Sequence, residues 1–181
     1  MKIYSLRHGI TQLNKQGILN GQINEPLAPE GAQQAKVAIS LIPKSVTHIY
    51  SSSMLRARQT TEIINSKLHR SVSWHKELGE INMGLLAGKS WEQMKDGLEL
   101  KKKHRAIQFD YHPQGGESAE DVKNRVRAFL KKINGKHGDF QTLIVTHGGI
   151  IRLLYFLEQG KLSDKIEHLR LYTFDLDRIV K

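Results

Sequence analysis

Apolar residues recur along the chain in two rhythms that alternate from end to end. Short runs rich in β-branched and aromatic residues predict strands at Lys2–Arg7, His48–Ser51, Leu143–His147 and Leu171–Leu176. Between them the spacing turns helical. Pro29 can open a helix that Pro43 ends, carrying Ala35, Ala38, Ile39 and Ile42. Met54, Ala57, Thr61, Ile64 and Leu68 recur at helical spacing and mark one face, as do Val122, Val126, Phe129, Leu130 and Ile133. Ser118 and Asp121 form a capping box ahead of the latter. Ile150 to Leu157 is nearly all apolar, which predicts a deeply buried helix. Strands alternating with helices predict an α/β fold, a sheet with helices on both faces.

In such folds functional sites gather at the carboxyl ends of strands. Three predicted strands end in polar groups: Arg7-His8-Gly9, Ser51-Ser52-Ser53 followed by Arg56, and Thr146-His147-Gly148-Gly149. One such end is unremarkable, whereas three form a constellation.

Composition narrows the class. A chain of 181 residues suits a single domain, taken as 1–181. The absence of cysteine excludes a disulfide framework, a thiolate zinc site and a cysteine nucleophile. The longest stretch without Asp, Glu, Lys or Arg is the 12 residues from Phe140 to Ile151, too short to span a bilayer. No signal-peptide core precedes the first strand, so a cytoplasmic protein without a membrane partner is expected. The balance of 28 basic to 18 acidic residues, formally +10, concentrates anions around the protein. It does not distinguish phosphorylated metabolites from nucleic acid or a membrane surface.

Each motif has chemistry and a plainer alternative. A neutral His8 imidazole after a strand can attack phosphorus, and Gly9 lets the chain turn sharply enough to expose the ring. Arg7 offers a planar fork of donors to phosphoryl oxygens. Arg56 falls in the first turn of a helix, where backbone N–H groups also favour an anion. His147 sits where the next helix begins, and the Gly148 N–H can contribute. The alternatives are core histidines and a surface arginine. Glu80 could protonate a leaving group or be a solvated carboxylate. Gly84 to Ser90 spells G-x-x-x-G-K-S, one residue short of a P-loop and without a strand before it, and is rejected. Asp175-Leu176-Asp177 resembles a phosphotransfer pair, but too little chain follows to build a site. No metal-ligand spacing occurs, so neither a metal nor another cofactor is implied. Lys101-Lys102-Lys103-His104-Arg105 reads as a solvated helix face, able to help select an acidic substrate if it folds over the site.

Taken in order, the motifs resemble the histidine phosphatase superfamily, the phosphoglycerate-mutase-like proteins. The match runs from Leu6-Arg7-His8-Gly9 through Gly21 to Leu27 with Gly31, Ser51 to Thr60, Glu80 to Ser90 and Gly115-Gly116-Glu117-Ser118 to Thr146-His147-Gly148-Gly149. The resemblance implies a three-layer α/β/α sandwich with a mostly parallel central sheet. Residues 85–115 would form a partly helical lid. It implies His8 as the phosphorylated nucleophile, with Arg7, Arg56 and His147 around the phosphoryl oxygens. Asn14 and the Gly148 backbone are further donors, and Glu80 is the proton donor. Two arginines and a second histidine would supply cationic donors without a metal. Asn24 and Leu13 depart from residues common in the family. The chain is also shorter than cofactor-dependent mutases, which favours hydrolysis of a small phosphomonoester over mutase activity. A non-catalytic anion or nucleic-acid binder is disfavoured, because it needs no aligned nucleophile and acid. Nothing in the sequence sets the substrate or the oligomeric state.

Overall fold

The computed structural model describes residues 1–136, 141–162 and 165–181. Its centre is a five-stranded sheet of β1 (Lys2–Arg7), β2 (Val46–Ser52), β3 (Ser71–His75), β4 (Gln141–Thr146) and β5 (Leu171–Asp175). The strand order is β3-β2-β4-β1-β5; all neighbours are parallel except β5, which runs antiparallel to β1.

Alternation along the strands builds the layers. On one face Tyr4, Leu6, Ile49, Leu143 and Val145 pack on Ala35, Ala38, Ala57 and Ile64 of α2 (Pro29–Ala38) and α3 (Leu55–Leu68). On the other, Ile3, Tyr50 and Ile144 meet Val126, Phe129 and Leu130 of α5 (Ala119–Ile133) and Ile150, Ile151, Leu153 and Leu154 of α6 (Gly148–Gln159). The period of two fixes which residues face which layer. The three-layer arrangement follows. Two four-residue helices, α1 (Gln12–Lys15) and α7 (Leu176–Ile179), complete it with α4 (Gly97–Arg105).

Some boundaries differ from the sequence pattern. β3 carries no clear strand signal: Ser71, Val72, Ser73, Trp74 and His75 form an edge strand with no fully buried position. The helix opened by Pro29 gives way to a 3-10 turn at Ile39–Leu41 before Pro43. The last strand stops at Asp175, whose side chain accepts from the Asp177 N–H and starts α7. In α6 burial ends at Leu154; Tyr155, Phe156 and Leu157 are half-exposed.

Between Gly84 and Gln114, the stretch expected to form a lid, lie three 3-10 turns and α4. The two ends of the stretch are tied together: the Asn82 N–H donates to Glu117 Oε2 at 2.9 Å, and the Glu117 N–H to the Asn82 carbonyl at 2.8 Å. No helix among the described residues is long and apolar enough to cross a membrane.

Candidate active site

Sheet register brings the polar strand ends together. Arg7 of β1 pairs with Thr146 of β4, and Ser51 of β2 with Val145. The His8 N–H then donates to the Thr146 carbonyl at 3.0 Å, continuing the ladder one residue past the strand. The two rings that follow the strands, His8 and His147, lie 5.0 Å apart between centroids. Arg7, His8, Asn14, Arg56 and Glu80 all line one cleft of ≈ 90 Å³. Gly148 adjoins it, since a Cβ there would stand 3.3 Å from Cζ of Arg7. All seven residues singled out in the sequence are therefore gathered at one place.

Hydrogen bonding sets the state of each ring. His8 Nδ1 lies 2.7 Å from the Gly9 carbonyl. A carbonyl only accepts, so the ring hydrogen is on Nδ1 and Nε2 carries a lone pair. That lone pair receives the Arg56 Nε–H at 3.3 Å. Burial first, then His147, Arg56 and Arg7, hold the His8 pKa well below 6.5, so the imidazole is neutral. For His147, Nε2 lies 2.8 Å from Ser52 Oγ, which already accepts the Met54 N–H. Among the described residues the buried Ser52 hydroxyl has its one acceptor in that Nε2, which leaves the His147 hydrogen on Nδ1. His147 Nδ1 is buried and unpartnered among the described residues, as is Arg7 Nε. Both are donors without acceptors beside an arginine-rich cleft. His147 departs from the expected cation: burial, then Arg56 and Arg7, depress its pKa, so it is a neutral donor.

The arginines are held by carbonyls rather than by carboxylates. Arg56 is fully buried; its terminal nitrogens donate to the carbonyls of Ile23 at 2.8 Å and Gly21 at 3.0 Å. Arg7 donates to the Ile166 carbonyl at 2.7 Å. Burial lowers the Arg7 pKa to about 10, against the attraction of Glu80, so it stays charged at neutral pH. Carbonyl partners fix the guanidinium planes without neutralising them, which leaves the charge available to an anion.

Glu80 reaches the site from the edge of the sheet. After β3 a 3-10 turn at Lys76–Leu78 redirects the chain, and Thr146 Oγ1 donates to the Leu78 carbonyl at 2.7 Å. Arg125 fastens the next stretch through the carbonyls of Glu77 at 2.6 Å and Glu80 at 3.3 Å, and itself pairs with Glu117. The Glu80 carboxylate accepts the N–H of Ile81 at 3.0 Å and of Gly149 at 3.3 Å. Gly149 permits this close approach: a Cβ there would lie 2.5 Å from Glu80 Oε1 and 2.6 Å from Ile81 Cδ1, so both side chains would have to shift.

Other expectations change in detail. Gly9 does not have a left-handed φ. It is needed because a Cβ would stand 2.6 Å from the Gly31 carbonyl oxygen. Asn14 lines the cleft, yet its amide donates to Asn20 Oδ1 at 2.8 Å and its oxygen accepts the Thr11 N–H, so it also orders the turn. In the basic run Lys102, Lys103 and Arg105 are exposed as expected, but His104 turns inward and lines the cleft. His168 has no signal in the sequence. Its Nδ1–H donates to the His8 carbonyl at 2.7 Å, while the Leu169 N–H donates to the Arg7 carbonyl at 3.0 Å. Leu169 adopts φ 56°, a strained value for a leucine that turns its N–H onto β1.

A mostly parallel sheet whose strand ends gather two histidines, two arginines and a glutamate belongs to an enzyme of the phosphatase or mutase type. The chain is a member of the histidine phosphatase superfamily (branch 1), whose family model matches residues 3–179. It is 32% identical to phosphoglycerate mutase-like protein 4 of Arabidopsis thaliana over 159 residues, 85% of this chain and 69% of that one. To a probable phosphoglycerate mutase of Escherichia coli O1:K1 / APEC it is 29% identical over 181 residues, 99% and 84% of the two chains. A phosphoglycerate mutase from Thermus thermophilus superposes with a TM-score of 0.80 at 30% identity, covering 97% of this chain and 93% of that one. A mycobacterial glucosyl-3-phosphoglycerate phosphatase shares the fold, with a TM-score of 0.84 at 24% identity over 95% and 90% of the chains.

Proposed function

We propose that the protein is a metal-independent phosphomonoester hydrolase working through a phosphohistidine on Nε2 of His8. The observation that carries this reading is the His8 tautomer. Nδ1–H is committed to the Gly9 carbonyl, so the nucleophilic lone pair is on the nitrogen that meets Arg56. In the first step Nε2 bonds to phosphorus and the ester P–O bond breaks, its electron pair leaving with the alcohol oxygen. Protonated Glu80 supplies that oxygen with its hydrogen. In the second step the Glu80 carboxylate takes a proton from water as the water oxygen bonds to phosphorus. The P–N bond breaks, the lone pair returns to Nε2, and inorganic phosphate leaves. Arg7, Arg56, the His147 Nδ1–H and the Gly148 N–H stabilise charge on the transferring oxygens, which is most of what this chemistry asks of a protein.

The test is chemical trapping. Denaturation during turnover of a ³²P-labelled small phosphomonoester should leave an acid-labile, alkali-stable label on the protein, in the presence of chelator. No label in wild type, or label persisting in His8→Ala, overturns the proposal; so does activity that disappears with chelator.

A second reading has support in the names of the relatives from Arabidopsis and E. coli. A mutase would return the phosphoryl group to the product and yield an isomerised ester rather than free phosphate. Product analysis separates the two. A purely anion-binding protein would instead bind with steep salt dependence and be indifferent to loss of His8.

A further inference from the structure

The cleft that holds Arg7, His8 and Arg56 is lined as well by the apolar side chains of Ile18, Leu19 and Met83, by the amide of Asn20, and by one ring from α4, that of His104. That ring is fixed on several sides. It stacks on Phe109 at 5.3 Å and 28°, meets Trp91 at 5.4 Å, and places Nδ1 2.9 Å from the Tyr111 hydroxyl.

The hydrogens can be assigned by elimination. Tyr111 is fully buried, and its hydroxyl has no other hydrogen-bond partner among the described residues. A buried O–H requires an acceptor, and Nδ1 of His104 is the one at hand. Tyr111 therefore donates, Nδ1 accepts, and the hydrogen of the imidazole is on Nε2. Burial first, then Arg152 and Arg105, drive the His104 pKa down to about 3, so the ring remains neutral near pH 7. The result is an uncharged N–H donor, without a partner among the described residues, on a ring that lines the cleft.

We propose that His104 is a specificity-determining residue whose Nε2–H donates to an oxygen on the non-phosphate part of the substrate, selecting phosphomonoesters of polyols or hydroxy acids over those of plain alkyl alcohols. This rests on the phosphomonoesterase reading and sharpens its substrate class. A donor facing a purely alkyl group is left unpaired, and polar sites discriminate chiefly through that penalty. A neutral hydrogen bond corresponds to a preference of roughly twofold to tenfold.

A matched pair of substrates isolates the contact: glycerol 2-phosphate and isopropyl phosphate share a skeleton and differ only in two hydroxyls. In wild type, kcat/KM should favour glycerol 2-phosphate. His104→Phe should remove most of that preference, lowering kcat/KM for glycerol 2-phosphate more than for isopropyl phosphate. His104→Gln, which restores an N–H donor, should recover it. If His104 serves only to pack the aromatic cluster, His104→Phe lowers both substrates alike or neither, and the inference is overturned while the hydrolase stands. A wild type inert toward both esters overturns the hydrolase reading and this inference with it. Should His104→Phe fail to fold, long-range ¹H–¹⁵N spectra of the wild type decide: the Nε2–H tautomer of His104 supports the assignment, and the Nδ1–H tautomer ends it.

Discussion

The Nε–H of Arg56 stands 3.3 Å from Nε2 of His8, so the group proposed to bind phosphoryl oxygen also faces the lone pair of the proposed nucleophile. One planar guanidinium spans His8 and the carbonyls of Ile23 and Gly21. A lysine ammonium cannot reproduce that fork. Arg56→Lys should therefore lower kcat/KM by about 10²–10³, the usual effect of losing a preorganised donor. Leaving the two carbonyls short of donors should also cost about 1–3 kcal/mol, read as a shift in the urea midpoint.

Glu80→Gln tests the acid. Its effect should follow the leaving group, about 10²–10⁴ for an alkyl ester and much less for a phenyl ester that departs without protonation. Steady-state rates on both esters measure this. Equal losses on the two would remove Glu80 from the acid's role.

A subtler change should reproduce part of that pattern. Gly149→Ala puts a methyl 2.5 Å from Glu80 Oε1, so the carboxylate must move and lose the Gly149 N–H bond. Turnover of alkyl esters should fall about tenfold or more while phenyl esters are nearly spared. Circular dichroism and the thermal midpoint would show that the fold persists.

Acid should destabilise the protein through its neutral histidines. Each has a folded pKa below its unfolded value of 6.5, so unfolding takes up protons once the pH falls under that value. Stability is thus full above about pH 6.5 and declines toward about 4 for His168 and about 3 for His104. His168→Asn keeps a donor to the His8 carbonyl but does not titrate. It should flatten the pH dependence of urea unfolding between about pH 6.5 and 4 by up to one proton, or about 1.4 kcal/mol per pH unit.

What is legible in the sequence is what the chain states locally. Arg7-His8-Gly9, Ser51 to Arg56 and Thr146 to Gly149 each lie at a continuous strand end or strand-to-helix turn, so pattern and chemistry coincide. β3 is not legible because an edge strand alternates weakly, and with it goes the route by which Glu80 arrives. His168 meets His8 across 160 residues of sequence, and no local signal marks such a contact. His104 is hidden by charged neighbours, since a run of cations looks the same whether or not one ring turns inward. The left-handed Leu169 is likewise a product of tertiary demand rather than of its own preference.

The clasp between Asn82 and Glu117 has a consequence for diversification. Because the segment leaves and returns through one paired doorway, changes of length within residues 84 to 114 cost little loop-closure entropy so long as Trp91, Ile107, Phe109 and Tyr111 keep their places in the core. Glu80, the proposed proton donor, is anchored upstream of that doorway, and His8, the proposed nucleophile, directly follows β1. A lineage built on this scaffold is free to exchange its clientele while the bond-breaking apparatus stays as it was.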